Sequence, residues 1–186
     1  MNDLFENKTT NLNERKNETM EKKFIGEVTD RLIDAKTGEL IEERVYNNLV
    51  VDSCSTLISG LMKGALSGIQ YFAVGSGSNS WNNASLPEPA NGDTKLLNET
   101  FRKQVQATDI KFIDSSNQVS TNPTNRLQVS VTFDESEANG ELRELGIFGG
   151  NATATRNSGY MLNRKIHALI YKTNGMKLER IIRFTF

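Results

Sequence analysis

The clearest pattern along the chain is alternation. Leu127, Val129, Val131 and Phe133 are separated by Gln128, Ser130 and Thr132, the period of two that marks a strand with one face in a core and the other in water. Leu142–Phe148, Met161–Tyr171 and Lys177–Phe186 supply three more strands, divided by Gly/Asn/Thr loops. Leu178, Ile182, Phe184 and Phe186 share one face, which places Phe186 in the sheet. Upstream, Phe24, Val28 and Leu32 alternate with polar positions, Ala35-Lys36-Thr37-Gly38 supplies turn chemistry, and Leu40–Tyr46 resumes as a Glu/Arg-rich strand. That sequence predicts a β-hairpin with a wet face. Phe101–Ile113 is strand-like, but its apolar phase slips near Asp109, which predicts a bulge.

A short stretch has helical spacing instead. Cys54, Leu57, Ile58, Leu61 and Met62 fall at i, i+3, i+4, i+7 and i+8, with Asp52 or Ser53 as cap and Gly64 as stop. The spacing puts Cys54 on the buried stripe as inert packing. Next, Ile69–Val74 forms a compact apolar strand that runs into Gly75-Ser76-Gly77 and a long Gly/Ser/Asn/Pro loop around Trp81, ending near Gly92. Loops of this length carry function or interfaces, and Trp81 either anchors a partner or folds back on its own domain. Asp93-Thr94 caps a short turn before the strand near Phe101. The predicted fold is mainly β: an antiparallel β-sandwich-like domain with one short helix, plus an extended N-terminal hairpin or arm. Residues 1–21 read as a disordered or partner-ordered arm, rich in Asn, Glu, Lys and Thr without apolar period. Residues 22–46 read as a hairpin arm and 47–186 as the body.

Composition changes this picture little. The 22 basic and 23 acidic residues nearly cancel, which speaks against general nucleic-acid binding. Their placement is uneven: 8 basic against 3 acidic from Glu141 to Phe186, and 8 against 12 from Met1 to Gly60. Such asymmetry either is plain solvated surface, the commoner case, or lets the two ends of neighbouring copies attract one another. With Cys54 the single cysteine, no internal disulfide or cysteine zinc cluster can form. No apolar run reaches membrane-spanning length and the N-terminus is polar, so a cytoplasmic origin is expected.

Candidate chemistry is sparse. Gly75-Ser76-Gly77 lacks the Gly-Lys-Ser/Thr of a phosphate loop and reads as a turn. His167, the sole histidine, has no second member for a histidine metal cluster. Asp134, Glu135 and Glu137 read as an acidic loop rather than a hydrolytic pair. No enzyme and no cofactor are expected.

The order of elements adds a resemblance. Val45-Tyr46-Asn47-Asn48-Leu49-Val50-Val51 precedes the helix. It is followed by Ile69–Gly77, by Thr94-Lys95-Leu96-Leu97-Asn98-Glu99 with Arg102-Lys103, and by Leu142-Arg143-Glu144-Leu145-Gly146-Ile147-Phe148. A basic strand with Leu162-Asn163-Arg164-Lys165 and a terminal aromatic strand complete the series. Over roughly residues 46–186 this resembles tail proteins of tailed bacteriophages, particularly tail-fibre, tail-tip or baseplate-associated components. With no shaft repeat or receptor-binding tip after the last strand, the resemblance implies an adaptor, collar or short tail component. It implies a homo-oligomer joined to other tail or fibre proteins, in the virion tail and assembled in the host cytoplasm. A capsid or neck decoration protein is the alternative, and a carbohydrate-binding module stacking a host-surface glycan on Trp81 is a third. Candidate interface residues are Trp81, Phe24, Tyr46, Arg164 and Lys165.

Overall fold

The described residues form ten strands and one α-helix. The computed structural model describes residues 24–186; the arm expected at 1–21 lies outside them. The strands are β1 (Ile25–Asp34), β2 (Leu40–Val50), β3 (Ser67–Gly75), β4 (Glu99–Gln104), β5 (Ile110–Ile113), β6 (Val119–Ser120), β7 (Arg126–Phe133), β8 (Gly140–Gly150), β9 (Tyr160–Lys172) and β10 (Met176–Thr185). Helix α1 (Ser53–Met62) follows β2. The strands form a single sheet in the order β4-β3-β8-β9-β2-β1-β10-β7-β5-β6. Every pairing in it is antiparallel.

This sheet is sandwich-like because it folds over on itself. Its two halves meet through β2, whose last residues Leu49 and Val50 pair with Arg164 and Asn163 of β9. Far from that joint, the ring of Phe133 on β7 packs edge-on against Phe72 on β3 (5.9 Å) and Phe101 on β4 (6.0 Å). One core cluster therefore draws Val28 and Leu32 from β1, Phe72 and Val74 from β3, Leu145 and Ile147 from β8, and Ile182 and Phe184 from β10.

The hairpin expected over 22–46 is present as β1 and β2, but it is not an extended arm. β1 pairs with β10 along its whole length, from Ile25↔Thr185 to Asp34↔Met176, and β2 continues past residue 46 into the joint. The reason lies in Val28 and Leu32, fully or nearly buried, which need a facing apolar layer. The stretch 101–113 also differs from expectation. Its phase slip is no bulge: a 3-10 turn at Ala107–Asp109 separates β4, paired with β3, from β5, paired with β7 on the other half. The Asp109 carboxylate accepts the backbone N–H of Gln106 (2.7 Å) and fixes that crossing.

Helix α1 ends as its sequence predicts, with Gly64 in the left-handed region (φ +70°) and its N–H on Leu61 O. Its start does not: the Asp52 side chain makes no capping bond, and Ser53 Oγ donates to Met161 O on β9. Cys54 and Leu57 are buried, while Leu61 and Met62 at the end of the stripe are exposed. Burial pushes the Cys54 thiol up to about 11, which keeps it protonated and inert at neutral pH.

Phe133 joins the two halves where no backbone bond does, so Phe133→Ala should cost about 3–5 kcal/mol. A urea melt would show this as a lower midpoint, and an unchanged midpoint would show that the two faces are not packed through this ring.

Candidate interface at the β2–β9 seam

The seam between the two halves starts from a mismatch in pairing. On one side β2 pairs with β1 from Leu40 to Asn48. On the other, among the described residues, only Leu49 and Val50 find a partner in β9. Arg44 bridges the gap: its Nη1 donates to Ala168 O (2.8 Å), its Nη2 to Leu169 O (3.1 Å), and its Nε to Glu42 (2.6 Å). Before the joint, β2 has no ladder partner on its β9 side among the described residues. Leu40, Ile41 and Val45 stand 48%, 49% and 59% exposed along this stretch.

Beneath Arg44 lies a buried polar cluster. Arg180 on β10 stands directly across from Asp30 on β1. It donates Nη2 to Asp30 Oδ2 (2.9 Å) and approaches His167 Nε2 at 3.0 Å. Tyr46 donates its hydroxyl to the same Asp30 oxygen and stacks on the His167 ring (5.9 Å, 14°). With Nδ1 2.8 Å from Ala168 O, the arrangement fits neutral imidazole, donating from Nδ1 and accepting Arg180 at Nε2. Burial first, and then the positive charge of Arg180, hold His167 well below its ordinary value. Arg44 and Lys165 act in the same direction, and only the bond to Ala168 opposes them. Above the cluster, Lys165 Nζ sits 5.3 Å from the centre of the Tyr46 ring.

A groove runs on either side of Lys165. One part, about 460 Å³, is lined by Phe24, Asn48, Leu49, Pro89 and Lys165. The other, about 260 Å³, is lined by Arg44, Tyr46, Leu86, Lys165 and His167. The Asn48 amide lies buried over Gly26 with neither its oxygen nor its nitrogen bonded to protein.

Three of the five residues singled out in the sequence, Phe24, Tyr46 and Lys165, thus meet at this seam. Arg164 pairs with Leu49 at the joint through its backbone, but its side chain turns inward to Asp93 (2.9 Å) and Glu144 (2.6 Å). Trp81 is elsewhere too, half-buried and folded back on its own domain. Its ring lies where a Cβ on Gly77 (φ +61°) would have to be. The glycine thereby serves both the turn and the tryptophan.

The motifs that carry the phage-tail resemblance form a second buried network. The Glu144 carboxylate accepts the backbone N–H groups of Leu97 (3.0 Å) and Asn98 (2.8 Å) as well as Arg164. The Glu99 carboxylate takes Arg102 through two bonds (2.6 and 2.9 Å) and the backbone N–H of Asn157 (2.7 Å). The Arg102 guanidinium lies over Phe148 (4.8 Å) and Tyr71 (5.3 Å). These pairs clamp the loop between β3 and β4 to the sheet. Asn83 adds a further point by accepting Leu169 N (3.1 Å).

The sequence reading missed Arg44, Asp30 and Arg180. A signal for two of them was present, since Asp30 falls between Val28 and Leu32 and Arg180 between Leu178 and Ile182 at inward positions of their alternation. Among the described residues, no group of three or more His, Cys, Asp or Glu side chains is placed to hold a metal. No described helix is long and apolar enough to cross a membrane. Comparison with protein-family models, curated proteins and solved structures finds no match to this chain.

Two measurements check these networks. Because His167 titrates lower in the folded chain, its contribution is fully present above about pH 6.5 and is lost as pH falls below it. Unfolding free energy should therefore fall as pH drops from about 7 to about 5, in the direction set by this group. The difference between the wild-type chain and His167→Gln across that range isolates it, and parallel curves would refute the assignment. Glu144→Gln, which removes a buried charge from Arg164, should cost about 3–5 kcal/mol and open residues 76–98 to limited proteolysis.

Proposed function

We propose that this chain is a non-enzymatic structural subunit of a phage tail or tail-like particle, assembling with copies of itself and with other tail or fibre proteins. The observation that carries the reading is the stretch of β2 before the joint, which lies between β1 and β9 but has a ladder partner only on its β1 side. A strand with one unpaired side and exposed Leu40, Ile41 and Val45 is built to accept another strand rather than to face water. Main-chain bonds would supply affinity, and the alternating side chains would supply register. Arg44, Glu42 and Glu43 beside that row add charge that disfavours wrong partners. The ordered motifs from Tyr46 to Phe186 support the tail assignment by resemblance, and the networks around Glu144 and Glu99 give those motifs a shared structural purpose.

The sugar-binding alternative rested on Trp81, and one face of that ring is taken up by Gly77. The head or neck alternative uses the same stretch, and location within the particle separates the two. Immunogold labelling of purified particles should mark tails, and label confined to heads would favour decoration of the capsid or neck.

At micromolar concentration the full chain should be oligomeric by mass photometry. Paired Ile41→Lys and Val45→Lys substitutions should shift it to monomer with unaltered circular dichroism. A wild-type chain that is strictly monomeric and missing from tails would overturn the proposal.

A further inference from the structure

Strand β9 is interrupted where it faces the seam. Its ladder with β8 passes from Leu142↔Ile170 to Glu144↔Ile166, so His167, Ala168 and Leu169 stand against the single residue Arg143 as a bulge. On its other side β9 pairs with β2 only at Asn163 and Arg164. Among the described residues these three therefore have no strand partner on either side. Side chains hold them instead. Arg44 takes the carbonyls of Ala168 and Leu169, Asn83 Oδ1 accepts the Leu169 N–H, and the His167 ring stacks on Tyr46 and meets Arg180. Carried past the joint, the β2–β9 register would set Tyr46 against His167 and Arg44 against Leu169. Side chains thus span the positions that backbone bonds would have joined.

One bond in this set depends on a proton. His167 Nε2 accepts Arg180 Nη2 at 3.0 Å, while Nδ1 faces Ala168 O at 2.8 Å. A proton on Nε2 turns the first contact into two donors facing each other. Arg180 has little freedom to turn away, since it is fully buried and its Nη2 also holds Asp30. The charges around the ring are mostly of the wrong sign for an imidazolium: Arg180 from β10, Arg44 from β2 and Lys165 from β9 itself. Only Asp30 from β1 opposes them. Its carboxylate already takes Arg180 and the Tyr46 hydroxyl, and burial pushes it toward its neutral form. The attachment that gives way most easily is the bulge, which no ladder holds.

We propose that the His167–Leu169 bulge is an acid-released latch: when His167 takes a proton, the bulge swings away from Arg180 and Arg44 and leaves the rest of the sandwich folded. In water the imidazole regains its ordinary value of about 6.5, so the open form binds the proton more tightly and gains population as pH falls below that value. The freed carbonyls of Ala168 and Leu169, and the Arg44 guanidinium, then face the side of β2 that has no ladder partner. Release widens the place where a partner strand would add. The latch itself stands on the bulge and the buried cluster and does not need that reading.

The test uses the full chain without any partner, followed by NMR between about pH 7 and about pH 5. Hydrogen exchange at the Leu169 amide, corrected for the pH dependence of the exchange chemistry, should speed up about 10–30-fold on acidification. Its midpoint should coincide with the titration of the His167 imidazole, and amides of the β7–β10 ladder should not change. In His167→Gln the Leu169 amide should exchange alike across the range, and in Arg44→Ala it should already be fast at neutral pH. Should either variant fail to fold, the wild-type midpoints and the β7–β10 amides decide on their own. Equal acceleration in the β7–β10 ladder would mean general acid unfolding. A protonated imidazole with Leu169 still protected would mean that Asp30 accepts the charge in place. Acceleration retained in His167→Gln would assign the trigger to Asp30. Any of these three results, an unchanged wild type, or slow exchange in Arg44→Ala overturns the latch.

Discussion

A sheet of ten strands with one ten-residue helix has to cover its own apolar face, and the rest of this structure follows from that constraint. Helix α1 shields only one patch, around Cys54 and Leu57. The sheet meets the remaining demand by folding at β2, so that β3 and β4 lie over β7 and the aromatic rings of Phe72, Phe101 and Phe133 interlock between them. Folding a sheet this sharply breaks its ladder. Backbone pairing between β2 and β9 shrinks to two residues, and a side chain, Arg44, satisfies carbonyls that a neighbouring strand would otherwise have taken. The seam and the unpaired side of β2 are the geometric consequence of self-coverage.

Buried charges then decide which arrangement the strands take. Because side chains alternate across a sheet, a slip of one residue between β1 and β10 would turn Arg180 and Asp30 to opposite faces, leaving each without its partner. An apolar pair at those positions would tolerate such a slip better than an ion pair whose partners must meet. Glu144 does the same for the long loop: its two oxygens accept consecutive backbone amides and Arg164, a set that only one placement of residues 97 and 98 provides. A loop without regular structure is thus held as firmly as a strand.

Much of this was legible in the amino-acid order. The alternation in β7 and the helical spacing from Cys54 to Ile58 are local, and local patterns survive into the structure. What did not survive was long-range. The hairpin of β1 and β2 is visible in sequence, but nothing local says that β1 lies beside β10 rather than extending into solvent. The break near Asp109 was visible as a change of phase, yet a bulge and a crossing between sheet halves produce the same phase change. Tyr46 and Lys165 could be picked out as exposed-looking aromatic and basic residues. Arg164 looked identical to Lys165, and only the positions of Glu144 and Asp93 turn it inward. Asp30 and Arg180 were readable in principle, since each interrupts an inward apolar row, and two such interruptions in one chain invite pairing.

The adjacency of β1 and β10 also orders events in time. Asp30 and Arg180 are 150 residues apart in the chain, so at synthesis rates of about 5–20 residues per second β1 waits roughly 8–30 s for the strand that will flank it. During that interval its inward row of Val28 and Leu32 has no native neighbour on that side. Closing so long a loop is slow relative to forming hairpins. Until β10 arrives, the half-made sheet exposes the apolar row that β10 will flank, and that exposure is the physical consequence of placing an early strand in the middle of the sheet.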